Sequence, residues 1–456
     1  MTTQSSAATA STSQGASLAP SVTLLTATAL AVADMVGIGV FTSLGFQVKD
    51  LPSGFSLVTL WVVGGVMALC GALSYAELAT AFPRSGGEYN FLSRIYHPAI
   101  GFLAGWVSAT VGFAAPVALA AMAFGSYFAG VVPGAPPLAM ALAIVWLVSL
   151  VHLTGIRHAS TFQNVTTILK VVLIVVFIVA GFALGGRTAI SFAPSAGDLG
   201  YIASAPFAIS LVFVMYSYSG WNAVTYIAGE VRDPRRNLPL SVLVAVLIVT
   251  GLYVGLNVVF LSTTPMDKLA GQLNVAQVAG QHIFGPTGGR IVGALICIGL
   301  VSSVSAMMWI GPRVTMAMGE DLALLSVFSR KTRGGVPAVA VLLQMAVATV
   351  LLLTQGFESV LEFIQFSLTF CSFLAVLGVI VLRFTRPELP RPYRVWAYPL
   401  SPLVFLAISL FMMIYMVLER PAQSLAGLAM MAAGLVVYGL SRKQSSSPVA
   451  MEPSRQ

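Results

Sequence analysis

From end to end the chain alternates apolar runs of membrane length with short polar connections. A helix needs about 20 predominantly apolar residues to cross the hydrocarbon core of a bilayer. Twelve segments qualify: Thr23–Phe46, Phe55–Phe82, Pro98–Gly130, Leu138–Gly155, Phe162–Leu184, Ile202–Glu230, Leu240–Ser262, Gly288–Met318, Ala338–Gln355, Ser359–Leu382, Ser401–Leu418 and Ala422–Leu440. The runs are continuous, so they predict helices and not the alternating strands of about 10 residues that build an outer-membrane barrel. Met1–Ser21 is a Ser/Thr/Ala-rich stretch without a charge. It lacks the basic region of a cleavable signal and reads as a flexible cytoplasmic tail.

Two of the runs are interrupted in their middles. The first contains ADMVGIGVF, Ala33–Phe41, where Gly37 and Gly39 flank Ile38 and Asp34 stands three residues before. The sixth contains VMYSYSGWNAVTYIAGE, Val214–Glu230. Unwound backbone inside a membrane is tolerated where it lines a cavity. Small residues packing against a neighbouring helix are the alternative use of such glycines. The pairing of the two breaks, five spans apart, favours the first use, because matching interruptions in two halves point to a transporter binding site. An odd offset gives the halves opposite orientation. The fold expected is therefore all-α and polytopic, with twelve transmembrane helices arranged as a 5+5 inverted repeat plus two. Its parts are a tail at 1–21, a ten-helix transport core at 22–384, two added spans at 385–441 and a second cytoplasmic tail at 442–456.

Composition agrees with a membrane protein. Of 456 residues 57% are hydrophobic and 8% charged, against about 25% charged in soluble domains. The formal charge of +8 is distributed by topology and not as a patch for nucleic acid. Seventeen of the 23 Lys and Arg residues fall on one side, including Arg84, Arg94, Arg157, Arg232, Arg235 and Arg236. Lys49, Arg187, Lys268, Arg290 and Arg420 fall on the other. Cytoplasmic loops attract such residues, which sets both termini inside, in the cell membrane. Lys170, well inside its span, is the one left over. Cys70, Cys297 and Cys371 sit in apolar runs without paired spacing, so neither a disulfide framework nor a metal site is supported. No Walker loop, HExxH or other catalytic pattern occurs, and neither an enzyme nor a cofactor is expected.

Several motifs in order resemble one family. They are GIGVF (Gly37–Phe41), SYAELATAFPRSGGEYNFL (Ser74–Leu92), FQNVTTILK (Phe162–Lys170), YSYSGWN (Tyr216–Asn222), EVRDPRRNLPLS (Glu230–Ser241) and GPRVTMAMGED (Gly311–Asp321). They are similar to those of amino acid permeases of the amino acid–polyamine–organocation superfamily, in particular its L-type amino acid transporter branch. The resemblance implies the leucine-transporter fold and a substrate held between the first and sixth spans. It implies that backbone N–H groups around Ile38, Gly39 and Val40 hold the substrate carboxylate. Carbonyls around Tyr216, Ser217, Tyr218 and Ser219 would receive the ammonium. Tyr216 would close over the substrate, and Asn222 would lie near it. Ile38 departs from the family's Gly-Ser-Gly form, removing a hydroxyl but not the N–H. In the family the lysine at Lys170 occupies the place of a coupling cation, which favours proton coupling or exchange over sodium symport.

The remaining charges are weighed against ordinary structural roles. A lone buried ammonium such as Lys170 is costly, and intramembrane charges are functional by default. Asp34 is one helical turn from the first break. It reads as a partner for a substrate cation, as a proton carrier, or as a structural carboxylate paired with Lys170. Glu77 reads as an anchor for the inner loops. Ser302, Ser303 and Ser305 could ligate an ion, but membrane serines ordinarily bond back to their own helix. The function expected is secondary active transport of amino acids by alternating access, with membrane lipid as surroundings and protons as a candidate co-substrate. A polyamine or organic-cation transporter of the same fold is the rival. An amino acid-binding receptor that does not transport is the rival of another class. The loop VVPGAPP, where the family's heteromeric members carry a cysteine, has none, so no disulfide-linked subunit is expected; the oligomeric state is not indicated.

Overall fold

The computed structural model describes residues 22–82, 87–154, 159–321, 323–332 and 335–445. The expected tail at 1–21, the end of the second tail, and the loop residues Arg84, Arg157 and Arg333 lie outside them.

The described residues are helical, with one isolated backbone bridge between Val22 and Val231. The first run is three pieces, α1 (Leu24–Met35), α2 (Gly39–Thr42) and α3 (Leu44–Asp50). Next come α4 (Gly54–Ala81), the short α5 (Gly87–Ile95), and α6 (Pro98–Val107), which joins α7 (Ala114–Val131) through a π-helical turn at Ser108–Gly112. After α8 (Pro137–Leu153) and α9 (Ala159–Leu184), the connector α10 (Asp198–Ile202) leads to α11 (Ala205–Ser217). A 3-10 segment at Ala223–Glu230 completes the sixth run. Then follow α12 (Pro234–Thr263), the short α13 (Met266–Leu269) and α14 (Val275–Asp321), the last bent at Gly285. A 3-10 turn at Ala323–Ser329 precedes α15 (Ala338–Thr354), α16 (Phe357–Thr385), α17 (Leu400–Glu419) and α18 (Pro421–Ser445).

Among the described residues nine helices are long and apolar enough to cross a membrane. Pro137–Leu153, Ala205–Ser217 and Ala338–Thr354 are shorter apolar helices at the positions expected for the fourth, sixth and ninth runs. Chain chemistry sets several ends. Thr23 caps α1 by accepting from Thr26 N–H at 3.3 Å, and Ser53 caps α4 by accepting from Ser56 N–H at 3.2 Å. Outward faces such as Val165, Ile168, Val172, Val176 and Val179 of α9 are exposed and aliphatic, as a lipid-facing stripe must be.

Three sets of polar contacts organise the bundle. At one end Val22 N–H donates to Glu230 O (3.0 Å) and Arg232 N–H to Val22 O (2.9 Å), tying the start of the first run to the end of the sixth. Nearby, buried Glu77 of α4 receives Arg383 through Nη2 (2.7 Å) and Nε (3.2 Å), pairs with Arg391 at 3.4 Å, and accepts from Val395 N–H (2.7 Å). Glu77 thus anchors the connection between α16 and α17. At the opposite end Lys49 of α3 pairs with Glu358 of α16 and Arg420 with buried Glu362, each at 2.8 Å. Beneath them Phe46 stacks on Phe213 (5.3 Å) and on Phe357 (5.5 Å), joining α3, α11 and α16.

Candidate functional site

Both expected breaks are present, and they are built differently. In the first, α1 ends in an inverse γ-turn centred on Val36 (φ −75°, ψ 80°), with Gly37 N–H donating to Met35 O at 2.8 Å. The N–H groups of Ile38, Gly39 and Val40 have no acceptor among the described residues, as befits a helix start. In the second, Tyr218 N–H returns to Val214 O and Ser219 N–H to Tyr216 O. Gly220 then takes φ +98°, a conformation that glycine adopts without strain. The carbonyls of Tyr218 and Ser219 accept from no donor among the described residues.

One tyrosine joins the two. Tyr253 of α12 is fully buried, and its single hydroxyl hydrogen lies between Met35 O (2.6 Å) and Ser217 O (3.0 Å). Its ring packs edge-on to Trp61 (5.6 Å) and tilts on Tyr218 (5.1 Å). A second tie is the contact of Ser43 with Ser217, Oγ to Oγ at 3.1 Å.

The breaks open onto a cavity of about 1060 Å³. Asp34, Gly37, Ile38, Gly39, Lys170, Tyr216, Ser217, Ser219 and Asn222 all line it. Val40 and Tyr218 do not. Val40 is fully buried in packing, and Tyr218 turns its hydroxyl away to Trp61 O at 3.0 Å. The cavity continues past Glu88, Trp309, Arg313 and Gly335–Pro337, toward the end of the bundle bearing the Lys- and Arg-rich loops. The Phe46–Phe213–Phe357 stack stands on the other side and none of it lines the cavity.

The two glycines of the first motif divide the alternatives between them. A Cβ on Gly39 would stand 2.3 Å from Ser217 Oγ and 2.6 Å from its Cα, so this glycine lets α2 pack against α11. A Cβ on Gly37 would meet nothing nearer than 3.9 Å, and its φ is not positive. Neither packing nor backbone strain requires glycine there; its absent side chain leaves the cavity open.

Lys170 is buried, its stem against Gly299 of α14 and its residue on the cavity wall. Asp34 faces the same cavity and is exposed to it. The two charges attract each other, yet they form no ion pair within 4.0 Å, so the direct pairing considered from sequence is not observed. The serines of α14 also differ from expectation. Ser303 bonds back to its helix, at Gly299 O (3.1 Å). Ser302 receives Thr166 Oγ1 from α9 (2.6 Å), and Ser305 meets His152 Nε2 from α8 (3.0 Å).

Sequence reasoning missed four contributors. Tyr253 was signalled only by being a large hydroxyl-bearing side chain in an apolar run, which in lipid needs a partner. Glu88, inside the quoted SGGEYN, lines the cavity and accepts from Tyr75 Oη (2.9 Å) and Asn222 Nδ2 (3.2 Å). Gly220 makes room for Asp34. The π-helical turn at Ser108–Gly112 places Ser108 and Gly112 on the cavity wall, and its Ala109 O accepts from Thr315 Oγ1 at 3.1 Å.

Known proteins resemble the chain over nearly its whole length. The b(0,+)-type amino acid transporter 1 of Homo sapiens is 28% identical over 439 residues, covering 93% of this chain and 88% of that one. The large neutral amino acids transporter small subunit 2 of Oryctolagus cuniculus is 27% identical over 442 residues, covering 93% and 81%. The serine/threonine exchanger SteT of Bacillus subtilis (strain 168) is 26% identical over 436 residues, covering 93% and 97%. The family model described as amino acid permease matches residues 22–440. With motifs, helices, cavity and relatives in agreement, the chain belongs to the amino acid permease family, within the amino acid–polyamine–organocation superfamily and on the side of its L-type transporters.

Proposed function

We propose that this protein is a secondary transporter that moves amino acids across the cytoplasmic membrane by alternating access. The observation that carries the reading is the pair of helix breaks bridged by Tyr253 and opening onto one cavity. Among the described residues one break leaves the N–H groups of Ile38, Gly39 and Val40 without acceptors, and the other leaves the carbonyls of Tyr218 and Ser219 without donors. An amino acid zwitterion offers the matching carboxylate and ammonium. In this reading Val40 and Tyr218 contribute backbone groups only, and the ring of Tyr216 covers the bound molecule while Asn222 borders it.

Twelve spans in a 5+5 inverted repeat plus two, with both termini cytoplasmic, is the topology that goes with it. The cavity then faces the cytoplasm, and the aromatic stack at Phe46 under the Lys49–Glu358 pair closes the outer side. Rocking of the first, second, sixth and seventh spans against the rest exposes the site alternately. Lys170, between α9, α14 and the first break, supplies a fixed positive charge where a coupling cation would otherwise be needed. Transport is therefore sodium-independent, by exchange or proton symport.

Counterflow in proteoliposomes tests the reading. Vesicles loaded with unlabelled amino acid are expected to accumulate the labelled one transiently above its external level. A receptor binds but never accumulates, and that outcome would replace the proposal.

A further inference from the structure

We infer that the cavity recognises its ligand chiefly through the ammonium, at Asp34, so that a primary amine lacking any carboxylate binds there too. This rests on the reading of the cavity as the substrate site.

The first ground is the accessible charge. Asp34 is exposed to the cavity, and among the described residues it has neither a hydrogen bond nor a cation within 4.0 Å. The other charged groups on the wall are occupied or withdrawn. Lys170 is only 7% exposed and presents little of its head. Glu88 holds Tyr75 and Asn222, and Arg313 donates to Trp309 O and lies over the Trp309 ring at 3.5 Å. The charge offered to a molecule at the breaks is negative.

The second ground is placement. Asp34 sits in the last turn of α1, and Met35 O and Ser217 O, at the ends of α1 and α11, share the Tyr253 hydroxyl. Helix C-termini carry partial negative charge, so both breaks begin at a negative helix end. Gly220 holds the arrangement together. A Cβ there would lie 2.7 Å from Asp34 Oδ2 and 2.9 Å from Asp34 O, so any side chain at this left-handed position would displace the carboxylate.

The third ground is relative strength. The carboxylate end of an amino acid meets neutral N–H donors at the short turn α2, whereas the ammonium meets a full charge. A hydrogen bond with one ionised partner is already roughly twice as strong as a neutral one. At the ammonium end both partners are ionised, which adds the direct attraction of opposite charges at close range. An unpaired carboxylate at membrane depth also costs free energy that an arriving ammonium offsets. A ligand keeping the ammonium and losing the carboxylate therefore gives up the weaker half of the contact.

Ligand-induced thermal stabilisation of the detergent-purified protein reads this without needing transport. The amino acid giving the largest shift among the standard set is compared with its amine and its acid; for leucine these are isoamylamine and isocaproate. The amine should half-saturate within about tenfold of the amino acid and at least about tenfold below the acid. Asp34→Asn should weaken the amine about tenfold more than the amino acid. An acid that binds as well as the amine in the wild-type protein overturns the inference whatever the variant does. A failed counterflow experiment with the amine still bound would instead overturn the transport reading.

Discussion

Glu77 and Asp34 are both carboxylates on membrane-embedded helices, and their surroundings are opposites. Glu77 accepts from the Arg383 guanidinium and a backbone N–H, pairs with Arg391, and is 2% exposed. Asp34 has no such partner among the described residues and faces a cavity. The difference teaches how to read an intramembrane charge. One whose valences are filled by protein holds the fold, and one whose valences are empty toward a cavity is kept for something that arrives. Glu77→Ala should thus cost about 3–5 kcal/mol of stability, because it strands Arg383 and Arg391. Asp34→Asn should leave the thermal midpoint almost unchanged while ligand stabilisation falls. Melting curves of the two purified variants check this, and the contrast is lost if Asp34→Asn unfolds the protein and Glu77→Ala does not.

The sequence carried one half of this contrast better than the other. Periodicity and charge made the runs, the breaks at Gly37–Gly39 and Ser217–Gly220, and the odd position of Lys170 readable. Those are local properties of a run and its interruptions. Partners were not readable, because they lie far along the chain. Arg383 and Arg391 are more than 300 positions from Glu77, and nothing near Tyr253 says that it spans Met35 and Ser217. Geometry also separated what spacing had left joined. Gly37 and Gly39 look alike in the sequence, yet one borders open space and the other a helix.

The next largest effect belongs to Lys170. If its charge stands in for a coupling cation, Lys170→Ala should slow counterflow by about 5–150-fold, the range of ordinary coupling free energies. Replacing sodium by choline should change wild-type uptake little. Sodium-dependent uptake together with an unimpaired Lys170→Ala variant would leave the lysine as a packing residue against Gly299. Lys170 would then join Glu77 on the structural side of the comparison.

The glycines give a sharper and smaller contrast. Gly39→Ala forces α2 away from Ser217 and should cost about 1–3 kcal/mol, as overpacking does. Gly37→Ala adds its methyl to open space and should fold normally, with transport reduced because the cavity narrows where the carboxylate would sit. Gly37→Leu should abolish transport at normal membrane levels. Equal losses of stability in the two alanine variants would mean that both glycines serve packing and that the first break is not a ligand site.

The smallest effect separates ring from hydroxyl at Tyr216. Its side chain is 8% exposed and lines the cavity, and among the described residues its hydroxyl has no hydrogen-bond partner. Tyr253, by contrast, uses its hydroxyl to bridge two breaks. Removing an unpartnered hydroxyl leaves no protein group stranded, so Tyr216→Phe should shift exchange by less than about 1 kcal/mol. Tyr216→Ala takes away the ring that covers the ligand and should slow exchange markedly. Tyr253→Phe should cost more than Tyr216→Phe in both stability and exchange, because Met35 O and Ser217 O lose a common donor. Counterflow rates and melting midpoints for the three variants rank them. If Tyr216→Phe is as inactive as Tyr216→Ala, the hydroxyl contacts the ligand directly, and the polar wall of the site extends beyond Asp34 and the broken backbone.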